Sequence, residues 1–193
     1  MLPMLAGCAD PGAQRAEHSA NGTRLAGSMR ELFERALEMP DLASEAVPII
    51  ERAIDSGSIS PGDYEQVFTD YIGCLSREGI KGLPFKKGVD GIYRLQTVDS
   101  ARVSRDRFVE VNVTCAQTYN LIETLYNIQT NNPDLLGDSG EVGVACLRRG
   151  GLVDAEYDAA KFTSDLRGLH FPFDINDPEA QRCLCAAGVA VGD

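Results

Sequence analysis

Residues 74–80 read "CLSREGI", and this pattern of Cys, Leu, three variable residues, Gly and an aliphatic residue occurs three times in the chain. The other copies are "CLRRGGL" at residues 146–152 and "CLCAAGV" at residues 183–189. The pattern is typical of a helix end, because glycine readily adopts the left-handed conformation that closes the last turn. The three copies predict a partly repetitive helical fold with a cysteine near the end of each repeated helix.

Apolar residues recur at helical spacing on both sides of these endings, and capping residues mark where each helix starts. The predicted helices run from Ser28 to before Pro40, from Asp41 to Ser56, from Ser60 to Gly79, as one long helix from Ser104 to about Thr130, and over 139–149, 155–167 (capped by Asp154) and 178–187 (capped by Asp177).

Residues 80–99 carry glycine and proline punctuation followed by a short apolar stretch, which predicts a small β-hairpin. The expected fold class is therefore mainly α. We expect a single helical domain over residues 28–193, braced by disulfides, with the small hairpin near residues 80–99.

Six cysteines in an acidic chain with an export signature favour a disulfide framework. The preferred pairs are Cys74 with Cys115 and Cys146 with Cys183, which would tie neighbouring helices and leave Cys185 outside both bridges. The alternative is reduced cysteines that are buried as small apolar residues. A zinc site is not expected, because Cys183 and Cys185 form the only close pair and neither histidine has a recognisable partner.

The opening of the chain contains "LAGC" at residues 5–8, and a cysteine in this setting is where a bacterial lipid anchor is attached. Residues 1–8 can hold only the end of a signal segment, so the match is either accidental or the remnant of a truncated signal. Residues 9–27 are small, polar and without periodicity, as in a flexible tether. A tether directly after Cys8 favours the lipoprotein interpretation over a frayed terminus.

The net charge of −11 and the pI of about 4.6 argue against a nucleic-acid partner, whose phosphates require a basic surface. Hydrophobic residues make up 44% of the chain, as in ordinary soluble domains, and no apolar run is long enough for a membrane-spanning helix. Contact with a membrane is thus expected only through a lipid anchor.

Common catalytic motifs such as GxSxG, HExxH and the P-loop are missing from the sequence. His18 lies in the predicted tether, and His170 is interpreted as a packed loop residue. The oxygen donors of residues 174–179 lack the spacing of a calcium loop, and Asp177 before Pro178 is read as a helix start. We therefore predict no catalytic residue, no metal site and no cofactor.

The "LAGC" stretch, the polar leader, the tyrosine-led helices with Cys-Leu-x-x-x-Gly endings, "LYNIQTNNPD" at residues 125–134 and "FPFDINDPEAQRCLCAAGV" at residues 171–189 together resemble uncharacterised actinobacterial secreted lipoproteins. The resemblance covers most of residues 60–189. It implies acylation of Cys8, with palmitate among the attached lipids, and it implies no established ligand or catalysis.

The expected function is that of a cell-envelope lipoprotein on the extracellular face of the membrane, acting as a binding or assembly module for an envelope protein or polymer. One alternative is a secreted or envelope-associated hydrolase. The other is a soluble intracellular protein with reduced cysteines.

Overall fold

The computed structural model describes residues 24–96 and 104–189, and in these ranges the chain forms eight helices and one two-stranded antiparallel sheet. The elements in chain order are α1 (Met29–Leu37), α2 (Val47–Ser56), α3 (Pro61–Arg77), β1 (Phe85–Lys87), β2 (Tyr93–Leu95), α4 (Arg105–Cys115), α5 (Gln117–Asn131), α6 (Ser139–Arg149), α7 (Ala159–Gly168) and α8 (Pro178–Ala186). The mainly helical class and the hairpin are as predicted, and the hairpin pairs Phe85 with Leu95.

The three Cys-Leu-x-x-x-Gly segments close α3, α6 and α8 with one shared set of hydrogen bonds. Each glycine has a positive φ, of 86° at Gly79, 67° at Gly151 and 75° at Gly188. In each copy the amide of the aliphatic residue donates to the leucine carbonyl: Ile80 to Leu75 (2.8 Å), Leu152 to Leu147 (3.0 Å) and Val189 to Leu184 (2.9 Å). This is the Schellman ending, which satisfies carbonyls that the helix leaves open.

Most of the buried apolar residues form two clusters, one on each side of the link between α5 and α6. The first cluster is built by α1–α5 and the hairpin, and its largest fully buried members include Phe33, Ile50, Tyr64, Leu75 and Ile122. The second is built by α6–α8 around Cys146, Leu147, Phe162, Cys183 and Leu184. Each cluster therefore contains or adjoins one of the predicted cysteine pairs.

The first cluster is unusually rich in stacked aromatic rings. Tyr64 lies parallel to Tyr126 with ring centroids 4.5 Å apart, and Tyr71 lies parallel to Tyr119 at 4.6 Å. Burial is the main reason that the pKa of Tyr64, Tyr71 and Tyr119 is raised above the usual tyrosine value. These hydroxyls stay protonated at neutral pH, so they act as hydrogen-bonding groups of the core.

Two helix starts differ from the sequence predictions. Helix α2 begins at Val47 rather than after Asp41, because Pro48 lacks an amide hydrogen and fits only in the first turn. Helix α7 is capped by Asp158, not by Asp154. The Asp154 side chain instead accepts the amide of Glu156 (3.1 Å) and holds a local turn before the helix.

The predicted long helix is divided into α4 and α5 at Ala116, which is 1% exposed and leaves the α-helical conformation. Both helices pack against the same cluster, so the helical spacing of apolar residues continues from α4 into α5. The spacing therefore does not indicate the break at Ala116.

The last four residues of the predicted tether, 24–27, pack against the domain. The Leu25 amide donates to the Leu135 carbonyl (2.7 Å), Arg24 pairs with Leu136 in a β-bridge, and Ala26 is 4% exposed. Residues 9–23 of that tether lie outside the described residues, as do residues 97–99 at the end of the predicted hairpin segment.

Helix α6 approaches α7 and α8 closely at Gly143. A Cβ atom at this position would lie 2.7 Å from Cζ of Phe162 and 3.0 Å from Cβ of Ala187. The close packing of the second cluster therefore requires glycine here.

We predict that Gly143→Ala lowers the free energy of unfolding by about 1–3 kcal/mol, because the added methyl group overpacks the second cluster. The control is Gly73→Ala in α3, where a new Cβ would meet only the end of the Arg77 side chain at 3.4 Å. This control should stabilise by about 0.5–1 kcal/mol through helix propensity. Equal effects in urea denaturation of the two variants would contradict the packing argument.

Candidate functional site

The two disulfides join the cysteines that the sequence analysis paired. Cys74 of α3 is bonded to Cys115 at the end of α4 with Cα atoms 5.6 Å apart, and Cys146 of α6 is bonded to Cys183 of α8 with Cα atoms 5.3 Å apart. All four cysteines lie in the C-terminal part of a helix. Cys8, the predicted lipidation site, lies outside the described residues.

We predict that the double variant Cys74→Ala/Cys115→Ala loses about 4 kcal/mol of stability, because the bond closes a loop with a sequence separation of 41. The Cys146→Ala/Cys183→Ala variant, with a separation of 37, should lose a similar amount. Guanidinium denaturation measures both losses. Cys185→Ser is the control and should keep both bonds intact, and an unchanged stability of either double variant would show that its bond does not brace the fold.

A cavity of about 250 Å³ lies between the hairpin and α8, and we call it the hairpin groove. Its charged lining consists of Lys86 and Lys87 from β1, Arg94 from β2, Arg182 from α8 and Asp90 from the hairpin turn. Four cationic side chains thus line one small cavity of a chain whose net charge is −11.

Asp90 forms the buried floor of the hairpin groove, and its side chain is 0% exposed. Its carboxylate accepts hydrogen bonds from Nη1 of Arg94 (2.9 Å), from the Ile92 amide (3.2 Å) and from Nδ2 of Asn131 (2.9 Å). It also forms an ion pair with Nη2 of Arg94. Burial alone would raise the pKa of Asp90, but these hydrogen bonds and the Arg94 charge outweigh burial and lower it.

Asn131 connects the groove to the rest of the molecule, and it is 1% exposed at the end of α5. Its Oδ1 accepts from Nη1 of Arg182 (3.2 Å), and its backbone carbonyl accepts from Nη2 of Arg149 (3.3 Å). Because its Nδ2 donates to Asp90, one asparagine links the hairpin, α5, α6 and α8. The polar network therefore runs between the two hydrophobic clusters.

Glu123 of α5 responds to burial in the opposite way from Asp90. Burial raises the pKa of Glu123, and the negative charge of Asp90 adds to this, while Arg94 partly offsets it. The two carboxylates therefore have opposite effects on stability as the pH changes.

We predict that Asp90→Asn lowers the free energy of unfolding at pH 7 by about 2–3 kcal/mol. Arg94 loses its charged partner, and one oxygen that accepts hydrogen bonds from Arg94 or Asn131 is replaced by an NH2 group, which is itself a donor. The folded pKa of Asp90 is lowered, so its contribution is present above the unfolded value near 3.8 and is lost as pH falls through the folded pKa. The variant should therefore lose less stability than the parent between pH 4 and pH 2.

The control for this pH effect is Glu123→Gln. The folded pKa of Glu123 is raised, so the parent loses stability as pH rises from its unfolded value of 4.5 through the folded pKa. Glu123→Gln should remove that loss and raise the thermal midpoint at pH 7. The interpretation of both carboxylates fails if the two variants shift the pH profile of the midpoint in the same direction.

Cys185 lies in α8 and lines the hairpin groove together with Arg94 and Arg182. It belongs to neither disulfide, as the sequence analysis predicted. The Cys183-Leu-Cys185 spacing explains the difference between the two cysteines, because residues two apart on a helix point in different directions. Cys183 faces the second cluster and is 0% exposed, whereas Cys185 is half-buried at the groove.

A larger cavity of about 610 Å³ lies between α6, α7 and the segment that holds Arg24. Its lining mixes both charges, with Arg24 and Arg148 alongside Asp134, Glu141 and Asp158. Arg148 is engaged there, since its Nη2 donates to the carbonyls of Ala155 (2.6 Å) and Tyr157 (3.1 Å). Within the described ranges, Oε2 of Glu141 is buried without a hydrogen-bond partner.

His170 is exposed after α7 and lines neither cavity, so the packed setting expected from the sequence is wrong. Leu169, the residue before it, takes a left-handed conformation (φ 54°) and is itself 78% exposed. His18 lies outside the described residues.

The oxygen-rich segment at residues 174–179 serves the start of α8. Oδ1 of Asp174 accepts the Asn176 amide (2.9 Å), and Oδ1 of Asp177 accepts the amides of Glu179 (2.8 Å) and Ala180 (3.1 Å). This confirms the predicted cap at Asp177. In the described part of the chain, no group of three or more His, Cys, Asp or Glu residues is placed to hold a metal ion.

None of the described helices combines the length and the apolar character that crossing a membrane requires. Comparisons of the chain with protein-family models, with curated protein sequences and with solved structures return no match. The function is therefore inferred from the chain's own geometry.

Proposed function

We propose that this chain is a lipid-anchored binding module on the extracellular face of a cell membrane, attached through Cys8 and related to the actinobacterial lipoproteins that it resembles. The observation that carries the proposal is the pair of disulfides, Cys74–Cys115 and Cys146–Cys183. Disulfides of this structural kind persist outside the reducing cytosol. They therefore favour an exported protein over an intracellular protein with reduced cysteines.

The placement of polar groups favours binding over hydrolysis. The hairpin groove combines guanidinium and ammonium donors with a carboxylate that is already neutralised by Arg94, which suits recognition of a polar partner. A hydrolase would require a nucleophile or a water-activating base in a cavity. His170 is exposed away from both cavities described above, and Asp90 has a lowered pKa that makes it a poor base at neutral pH.

The test of the anchor is the mass of the N-terminal peptide of the protein isolated from the membrane fraction of its native host. We expect a peptide that begins at Cys8 and carries two ester-linked acyl chains on a glyceryl thioether, including palmitate. The matched variants are Cys8→Ser, which should lose the lipid and leave the membrane fraction, and Cys185→Ser, which should keep both properties. A native protein that begins at Met1 with an unmodified Cys8 would exclude the anchor.

A further inference from the structure

We propose that the cavity between α6, α7 and the segment that holds Arg24, which we call the α6–α7 cavity, binds a zwitterion of the amino-acid class with an aliphatic side chain. Glu141 binds the ammonium group of this ligand, and Arg24 and Arg148 bind its carboxylate. The inference goes beyond the proposed function, because the cavity shares no lining residue with the hairpin groove and does not involve the lipid anchor.

The first argument is that most charges on the wall of the α6–α7 cavity are unpaired. Five charged residues line the cavity, and one of them, Asp134, is neutralised by Arg149 (2.6 Å). The other four form no ion pair with any described residue, and they are Arg24, Arg148, Glu141 and Asp158. Opposite charges on the wall are therefore more than 4.0 Å apart, which leaves space between them for a molecule that carries both charges.

The second argument is the state of the Glu141 carboxylate. Its Oε2 is buried and accepts no hydrogen bond in the part of the chain that the structure describes. A glutamate three residues after a helix cap commonly accepts the amide of the capping residue. Here Asp138 accepts the Glu141 amide (2.9 Å), but among the described contacts the reciprocal bond is not formed. Because a buried polar atom without a partner costs free energy, an ammonium group at this carboxylate supplies the donors that the fold does not provide.

The third argument is that two guanidinium groups at the cavity keep donors for a carboxylate. Nη2 of Arg148 donates to the carbonyls of Ala155 and Tyr157, which holds the side chain at the wall and leaves the hydrogens of Nε and Nη1 unused within the described residues. The backbone of Arg24 is fixed by its β-bridge to Leu136, whereas its side chain has no hydrogen-bond partner in the described ranges. Both groups can therefore donate to the planar carboxylate of a ligand.

The shape and lining of the cavity indicate the rest of the ligand. Glu141 and Arg148 lie seven residues apart on one face of α6, which is about 10 Å along the helix axis. The remaining wall is apolar and mostly small, and it consists of Leu136, Val144, Ala145, Ala159 and Ala160. The volume of about 610 Å³ falls within the usual range for small-molecule sites. The cavity therefore suits an aliphatic side chain between two charged ends.

The test is calorimetric titration of the purified, oxidised full chain at pH 7 and constant ionic strength. The ligands are L-leucine and its two single-charge analogues, 3-methylbutylamine, which lacks the carboxylate, and 4-methylpentanoate, which lacks the ammonium group. We expect L-leucine to bind at least tenfold more tightly than either analogue, because only the zwitterion meets both kinds of wall charge. Amide NMR shifts should be concentrated at Val144, Ala145 and Ala159.

The dipeptide L-leucyl-L-leucine distinguishes the two sources of such a ligand. Tighter binding of L-leucine would assign a free amino acid, and tighter binding of the dipeptide would assign a short peptide. The proposal is overturned if neither zwitterion shows saturable binding with shifts at the cavity. It is also overturned if a single-charge analogue binds as tightly as the better of the two zwitterions.

Matched variants assign each charge of the ligand to its partner. Glu141→Gln should weaken binding of the zwitterion about tenfold and leave that of 4-methylpentanoate within about twofold. Arg24→Gln should also weaken the zwitterion but leave 3-methylbutylamine within about twofold. The controls Glu51→Gln and Arg105→Gln remove exposed charges elsewhere and should leave all affinities within about twofold. Losses of equal size in the cavity variants and the controls would contradict the proposal. The N-terminal mass measurement reads out the anchor independently, so either proposal can fail alone.

Discussion

The structure depends on how helices α3, α6 and α8 end. A helix leaves its last carbonyls without partners, and each of these three helices satisfies them with a glycine in the left-handed conformation. The ending fixes both the length of the helix and the position of the cysteine one turn earlier. Cys74, Cys146 and Cys183 are therefore positioned by local backbone structure, and the sulfur bridges then hold α3 to α4 and α6 to α8.

The two hydrophobic clusters are connected by polar contacts more than by a shared apolar core. Asn131 is central to this connection, because its amide and its backbone carbonyl contact residues of the hairpin, α6 and α8 at once. Such a network is favourable only while each member is satisfied, since a buried polar group without a partner costs about 1–3 kcal/mol. The same network supports the wall of the hairpin groove, so the geometry of the candidate site and the contact between the clusters are coupled.

Features that depend on neighbouring residues could be predicted from the sequence. The serine caps of α1 and α3, the cap of α8 at Asp177 and the three glycine endings are all confirmed, because each rests on residues within one or two turns. The predicted caps at Asp41 and Asp154 are wrong, because a second residue nearby could also start the helix: α2 begins beside Pro48, and α7 is capped by Asp158. The hairpin groove could not be predicted from the sequence, because its contacts join residues far apart along the chain. Asp90 and Asn131 are separated by 41 positions, and Asn131 and Arg182 by 51.

The two sulfur bridges follow one another along the chain without interleaving, since Cys74–Cys115 is complete before Cys146 begins the second pair. Pairing each of these four cysteines with its neighbour in chain order therefore gives the observed connectivity. Each native partner is the next cysteine of its own half, and no shuffling step by an isomerase is needed to reach the correct connectivity.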